Sequence, residues 1–336
     1  MKKMLVLAAA AALVWPMSAQ AEWPERDISV TVPYPAGGST DLNARTVAHI
    51  MAGILKVNMP VINKPGASGS VGTVDVWNRP RDGYNVLFNG MLAFVNYPVL
   101  GYHDKTWRDW HIWISTFTPN VVVTRAENKD LNSFADVVAA MKAKPGQVTV
   151  GSAGMGTGGH IGMEVLAAGT GVTYKHVPYE GGAKAITAAL SGEVDIVTQL
   201  SMEEIDHIRA GKFKALGALT ADTYTAEGIQ PIPSVGSEVA DVAYLLPMGE
   251  FTAMAVPKDT PDEIVKKLDA AFNEAMKSDE LAKFAQEKGI LVTPYTGQAA
   301  QDHMAKLASI VSWILFDAGV AKNSPEQFDI PRFEKK

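Results

Sequence analysis

From residue 27 onward the apolar positions of this chain change period again and again. Short β-branched runs give way to Gly/Pro loops, and these to stretches in which apolar residues recur every three or four positions. The first pattern predicts strands and the second amphipathic helices. Strands are predicted at 28–32, 61–63, 85–89, 121–124, 147–152, 174–177, 195–199, 215–219 and 251–256. Helices are predicted at 39–55, 71–77, 133–143 with Ser133 as N-cap, 158–168, 183–190, 261–277, 279–288 and 297–318. On the first helix Leu42, Thr46, His49 and Gly53, with Val47, Ile50 and Ile54, fall at helical spacing. Trp107, Trp110 and Trp113, three apart, read as a buried helical stripe. Alternation of strand and helix predicts an α/β architecture with parallel strands and helices on their faces.

Residues 1–21 follow another pattern. Lys2 and Lys3 precede an apolar run of 11 residues, 4–14, and Ala19-Gln20-Ala21 offers a small-x-small cleavage site. This predicts a cleavable signal peptide, a mature chain from Glu22 and export to the periplasm. The run is shorter than the roughly 20 residues that span a bilayer. The remaining length suits two lobes, 22–123 plus 250–336 and 124–249, with the C-terminal helices returning to the first.

Composition narrows the chemistry. The 336 residues carry 47% hydrophobic and 20% charged side chains and a net charge of -6, without a basic run, which excludes nucleic acid as a partner. Cysteine is absent, so disulfides, thiolate metal sites and cysteine nucleophiles are excluded. There is no Gly-x-Ser-x-Gly elbow and no His-Glu-x-x-His, which argues against a serine hydrolase and a zinc enzyme. No cofactor, metal or catalytic residue is expected.

Two glycine-rich segments carry the functional argument. Tyr34-Pro35-Ala36-Gly37-Gly38-Ser39-Thr40 and Ser152-Ala153-Gly154-Met155-Gly156-Thr157 each follow a predicted strand and open a predicted helix, one in each lobe. At a helix start the first N–H groups lack intrahelical partners, and the peptide dipoles place partial positive charge there. Glycines let backbone approach a ligand closely, so an anion can be held without arginine. A helix terminus contributes about 0.3–1 kcal/mol and each hydrogen bond to a charged group about 1.5–3 kcal/mol. Two loops on one carboxylate approach the roughly 8 kcal/mol of micromolar binding, and one does not. Gly154-x-Gly156-x-x-Gly159, with Glu180 about twenty residues on, also matches the dinucleotide fingerprint. That leaves an oxidoreductase as the rival reading.

Tyr34 to Asp41 with Ala44-Arg45, Asn63-Lys64-Pro65-Gly66-Ala67-Ser68-Gly69, Asp82-Gly83-Tyr84, Gly151 to Gly154 with Thr157 and His160, His176 to Gly182, Gly192-Glu193-Val194-Asp195 and Ile208 to Lys212 occur in one order along the chain. In this the sequence resembles the Bug (TctC) family of periplasmic solute-binding proteins of tripartite tricarboxylate transporters. The resemblance covers nearly the whole mature chain. It implies a two-lobed periplasmic-binding-protein-like α/β fold, type II-like, with mixed, mainly parallel sheets flanked by helices and the ligand in the interlobe cleft. It also implies capture of a small carboxylate, either a di- or tricarboxylate or an aromatic carboxylate. The partners implied are the large and small membrane subunits of such a transporter, and a monomer is expected. A periplasmic sensing module for a receptor kinase would share the fold and pocket.

The candidate ligand-binding residues are Tyr34, Pro35, Ala36, Gly37, Gly38, Ser39 and Thr40 in the first loop, and Ser152, Ala153, Gly154, Gly156, Thr157 and His160 in the second. Asn89, Gly90 and Met91, after the third predicted strand, and Tyr179 and Gln199, at strand ends in the second lobe, complete the set. Ser39, Thr40, Ser152 and Thr157 serve either as hydroxyl donors to the carboxylate or as helix caps. His160 equally fits a packing role. Asp41, four residues before Arg45, reads as structural. Met91, Phe94 and Met155 suggest a partly apolar pocket and a ligand with an apolar or aromatic body.

Overall fold

A computed structural model describes residues 23–333; the expected signal peptide lies outside the described residues. The chain opens with β1 (Ser29–Val32), α1 (Ser39–Leu55), β2 (Val61–Asn63), α2 (Ser70–Trp77), β3 (Asn85–Gly90) and α3 (Met91–Leu100). The long β4 (Trp110–Arg125) leads to α4 (Phe134–Ala143), β5 (Thr149–Ser152), α5 (Gly158–Thr170), β6 (Lys175–Pro178), α6 (Gly182–Ser191), β7 (Ile196–Leu200), α7 (Ser201–Arg209) and β8 (Phe213–Ala218). The short α8 (Val235–Glu238) precedes β9 (Gly249–Pro257), α9 (Asp262–Ala275), α10 (Asp279–Lys288), β10 (Leu291–Tyr295) and α11 (Gly297–Asp317).

The strands form one curled, mixed sheet in the order β2-β1-β3-β9-β4-β7-β5-β6, with β8 and β10 also on β4. Pairing is parallel where helices cross over, at β1 with β2 and β3 and at β5 with β6 and β7. It is antiparallel around β4. Residues Trp110 to Pro119 of β4 pair with β9, and from Asn120 onward the strand pairs with β7 and β8 instead. The 16-residue β4 therefore serves both halves of the sheet.

Helix α1 meets the sheet through Ala44, Val47, Ala48 and Met51, a stripe rotated from the expected one; His49 and Gly53 are exposed. Ser133 caps α4 as expected, accepting the Asp136 N–H at 3.1 Å. The tryptophans are buried, but not as one helical stripe: Trp107 opens a single 3-10 turn, 107–109. Trp110 and Trp113 lie on β4, three apart and hence on opposite faces. Trp110 packs edge-on against Trp77 and Phe94, while Trp113 joins the α1–α9 core and donates its N–H to Asp269 at 3.1 Å.

Helix α3 carries no expected signal because it is buried on every side. With no polar face, its sequence has no 3.6-residue period. Full burial of Leu92, Phe94, Val95 and Val99 stabilises by about 1.5–3 kcal/mol for each side chain. These residues share one core with Ile161 and Val165 of α5 and with Met304 and Val311 of α11. The C-terminal helix thus packs across both halves of the sheet.

Candidate functional site

Loops at the carboxyl ends of β1, β2, β5, β6 and β7 meet around a cavity of about 900 Å³. Its wall is built from 33–36, 38–40, 65–69, 153–155, 157–159 and 178–184, with Gln199, Leu200, Glu203 and Glu250.

Asp41 shapes the first loop. Its carboxylate accepts the Gly37 N–H at 2.8 Å, Arg45 Nε at 3.0 Å and Asn63 Nδ2 at 2.8 Å, and the same Asn63 nitrogen donates to the Tyr34 carbonyl. Burial acts to raise the Asp41 carboxyl, but the hydrogen bonds from Arg45, Gly37 and Asn63, with the Arg45 charge, hold it below the ordinary carboxylate value. Asp41 is structural, as its spacing to Arg45 suggested.

The 65–69 segment is held from below. Tyr34 and Tyr97 both donate their hydroxyls to the Ser68 carbonyl, at 3.2 and 3.0 Å. Ala67 and Ser68 keep positive φ (44° and 52°), a strained conformation for non-glycine residues that clusters at functional sites.

The second loop rests on a buried polar group. Gly156 N–H donates to His160 Nδ1 at 3.0 Å, so the other His160 nitrogen carries the proton toward Glu164, 3.4 Å away. Tyr174 also donates to Glu164, and Ser152 Oγ meets His176 Nε2 at 2.7 Å. Burial, with the neighbouring His160, pushes His176 down to about 3, keeping it neutral.

The structure brings Tyr34, Pro35, Ala36, Gly38, Ser39, Thr40, Ala153, Gly154, Thr157, Tyr179 and Gln199 onto one wall, with Met155 beside them. Other expected site residues stand behind it. Gly37 turns its N–H to Asp41, and Gly156 and His160 bond each other beneath the second loop. Ser152 is fully buried. Asn89 turns inward to Thr73 and Tyr97, Gly90 packs on Glu250, and Met91 and Phe94 are core residues, so the apolar character expected from them does not reach the cavity. None of the hydroxyls caps a helix through its side chain. Ser39 donates to Met202 Sδ, Ser152 turns to His176, and Thr157 donates to the Gly154 carbonyl at 2.7 Å. The Tyr179 hydroxyl is committed to Glu193 at 2.7 Å.

Three acids shape the site without having been expected there. Glu203 accepts the Ser39 N–H at the start of α1 (2.8 Å) and Gln199 Nε2 (2.6 Å), linking the two halves of the sheet. Gly182 makes room for it, since a Cβ there would lie 1.8 Å from Glu203 Oε2. Glu250 accepts the Leu92 N–H at 3.2 Å at the start of α3. Burial pushes Glu250 up to about 8, against the pull of the Leu92 and Met91 N–H groups, so it is largely protonated at neutral pH. Glu204, behind Glu203, is raised well above the ordinary carboxylate value by burial and by the Glu203 charge. The polar stretch around Glu203 and Glu204 gave no hint of burial. The 65–69 segment was missed as wall, although its Pro-Gly turn was visible.

The chain matches the description TctC, tripartite tricarboxylate transporter family receptor, over residues 43–312. It is 33% identical over 295 residues to a UPF0065 protein of Bordetella pertussis, covering 84% of this chain and 87% of that relative. Among solved structures it resembles a TctC solute binding protein from Polaromonas, determined without ligand, at 28% identity and a TM-score of 0.67, over 88% of this chain and 100% of that one. An R. palustris protein solved with adipate superposes with a TM-score of 0.79 at 23% identity, over 89% and 99% of the two chains. The periplasmic-binding-protein-like fold expected from the sequence is borne out.

Proposed function

We propose, from the premise that this chain belongs to the TctC family of tripartite tricarboxylate transporter receptors, that it captures a small carboxylate outside the cytoplasm for a membrane permease. The family is one of solute-binding receptors. The observation that carries the reading is the wall itself: glycine-rich starts of α1, α5 and α6 around a single cavity, with Lys184 its one cationic side chain among the described residues. Lys184 is exposed and already paired with Glu180 at 2.9 Å. An anion there is held by peptide N–H groups and helix dipoles, the means a mildly acidic protein has available. The adipate held by the R. palustris neighbour is a carboxylate of suitable size.

The lobes are 22–123 plus 250–336 and 124–249, moving about β4 and the start of β9. A ligand touching both favours the closed form by its preference for that state, and the closed surface is what the large and small permease subunits read. Export follows removal of residues 1–21, and the receptor acts as a periplasmic monomer. Fractionation and N-terminal sequencing check the export step.

Calorimetric titration with adipate, malate and benzoate, with NADH as control, tests the reading. At least one carboxylate binds in the micromolar range and NADH does not. Gly38→Val, which brings a side chain to the α1 start, and Thr157→Val, which unties the second loop from the Gly154 carbonyl, each weaken that binding roughly 5- to 100-fold, about 1–3 kcal/mol, by displacing loop N–H groups from the ligand's carboxylate. Both variants melt cooperatively. Unchanged affinity in both would remove the two-loop account.

A further inference from the structure

The cavity wall carries an anion of the chain's own. Glu203, in the first turn of α7 and half-buried on that wall, lays its carboxylate over two of the three glycine-rich helix starts. Oε1 accepts the N–H of Ser39, the first residue of α1, at 2.8 Å. Oε2 accepts Gln199 Nε2 and lies against Gly182, the first residue of α6, where a Cβ would be 1.8 Å away. Neither helix has a capping side chain of its own, because Gly38 and Gly181 stand at the two N-cap positions. Glu203 thus brings to these ends the negative charge that they favour. It offers what a small carboxylate would offer there: two acceptor oxygens and one charge.

Two carboxylates cannot share this place. An N–H taken by Glu203 is lost to a ligand, and the two charges repel each other. Glu203 is able to give way. Its side chain borders a cavity of about 900 Å³, and among the described residues the Ser39 and Gln199 hydrogen bonds are what hold its oxygens. Burial raises its carboxyl above the ordinary value despite both bonds, so the charge is held here at a cost.

We infer that Glu203 is an affinity-determining residue that stands in for a ligand's carboxylate at the α1 start, and that a carboxylate ligand binds by displacing it. The inference rests on the carboxylate-binding reading and adds to it a competitor within the chain. The sign of the effect separates this role from a clamp. A Glu203 that only ties α7 to α1 supports the site, so its loss weakens binding or leaves it unchanged. A competitor, once removed, tightens binding.

The experiment is calorimetric titration of the purified protein with adipate, malate and benzoate, as wild type, Glu203→Gln and Glu203→Asp. Glu203→Gln keeps the side-chain length and an oxygen for Ser39 but loses the charge. Glu203→Asp keeps the charge and, one methylene shorter, draws it back from Ser39. At least one of the three carboxylates is expected to bind about tenfold or more tightly to Glu203→Gln than to wild type, the worth of roughly one charged hydrogen bond. A crystal structure of the wild type with that carboxylate is expected to show a ligand oxygen, in place of Glu203 Oε1, on the Ser39 N–H. Should Glu203→Gln fail to fold, Glu203→Asp decides, with an expected gain of about threefold or more. Unchanged or weaker affinity in the variants that fold, or a bound structure with Glu203 still on Ser39, overturns this inference and leaves the carboxylate reading standing. If none of the three binds wild type or either variant, the carboxylate reading falls too.

Discussion

Single carboxyl groups set much of the behaviour expected of this protein. Asp41 is satisfied from three sides and holds a charge cheaply; Glu204 is its opposite. Glu204 is fully buried, neither oxygen has a hydrogen bond of good geometry, and burial and the Glu203 charge outweigh the nearby Gln199 N–H. A buried, unsatisfied polar group costs about 1–3 kcal/mol. Glu204→Met, of similar length and without a polar oxygen, is therefore expected to raise the melting temperature at pH 8, where the carboxyl of the unfolded chain is fully ionised. A lower melting temperature would show that Glu204 has a partner worth keeping. Asp41→Ala should do the reverse, destabilising by about 1–3 kcal/mol in urea unfolding, because it leaves the Gly37 N–H without its acceptor and removes one partner each from Arg45 and Asn63.

At the scale of elements, the second loop and α5 depend on the Ser152, His160, Glu164, Tyr174 and His176 group. The unfolded chain begins to protonate His176 near 6.5, whereas in the fold burial holds it neutral down to about 3. Stability on this account is lost as pH falls through that window. Burial works to raise Glu164 too, but hydrogen bonds from His160 and Tyr174 outweigh it and lower its value, so its contribution is likewise lost at acid pH. His176→Asn should flatten the acid limb of a melting-temperature profile between pH 3 and 7, and an unchanged limb would place the acid sensitivity elsewhere. Elements with one wet face, such as α1 or α10, were legible because half-burial writes a period into the sequence. Helix α3, buried all round, and the first half of β4, whose tryptophans imitate a helical spacing, were not. Helix α7 was missed for another reason: it follows β7 directly, without a turn signal between them.

For the whole molecule these effects oppose one another. His176 and Glu164 weaken the fold toward acid pH. The raised Glu250, Glu203 and Glu204 weaken it toward alkaline pH: each stays protonated in the fold above the pH at which the unfolded chain releases its proton. Maximum stability is expected between about pH 4.5 and 6.5. Glu250→Gln should flatten the alkaline limb up to about pH 8, read by melting temperature across pH 5 to 9; a steep limb in that variant would acquit Glu250. The sequence by itself determined the α/β class, most elements and the two glycine-rich helix starts, because helix caps, turns and half-buried periods are local and need no knowledge of what lies across the fold. Tertiary structure alone decided that β4 would serve two half-sheets, that Asn89 and Met91 would sit behind the wall, and that Glu203 would reach the start of α1, 164 positions away in the chain. Burial and charge pairing between distant segments depend on how the sheet curls, and local sequence carries no record of it.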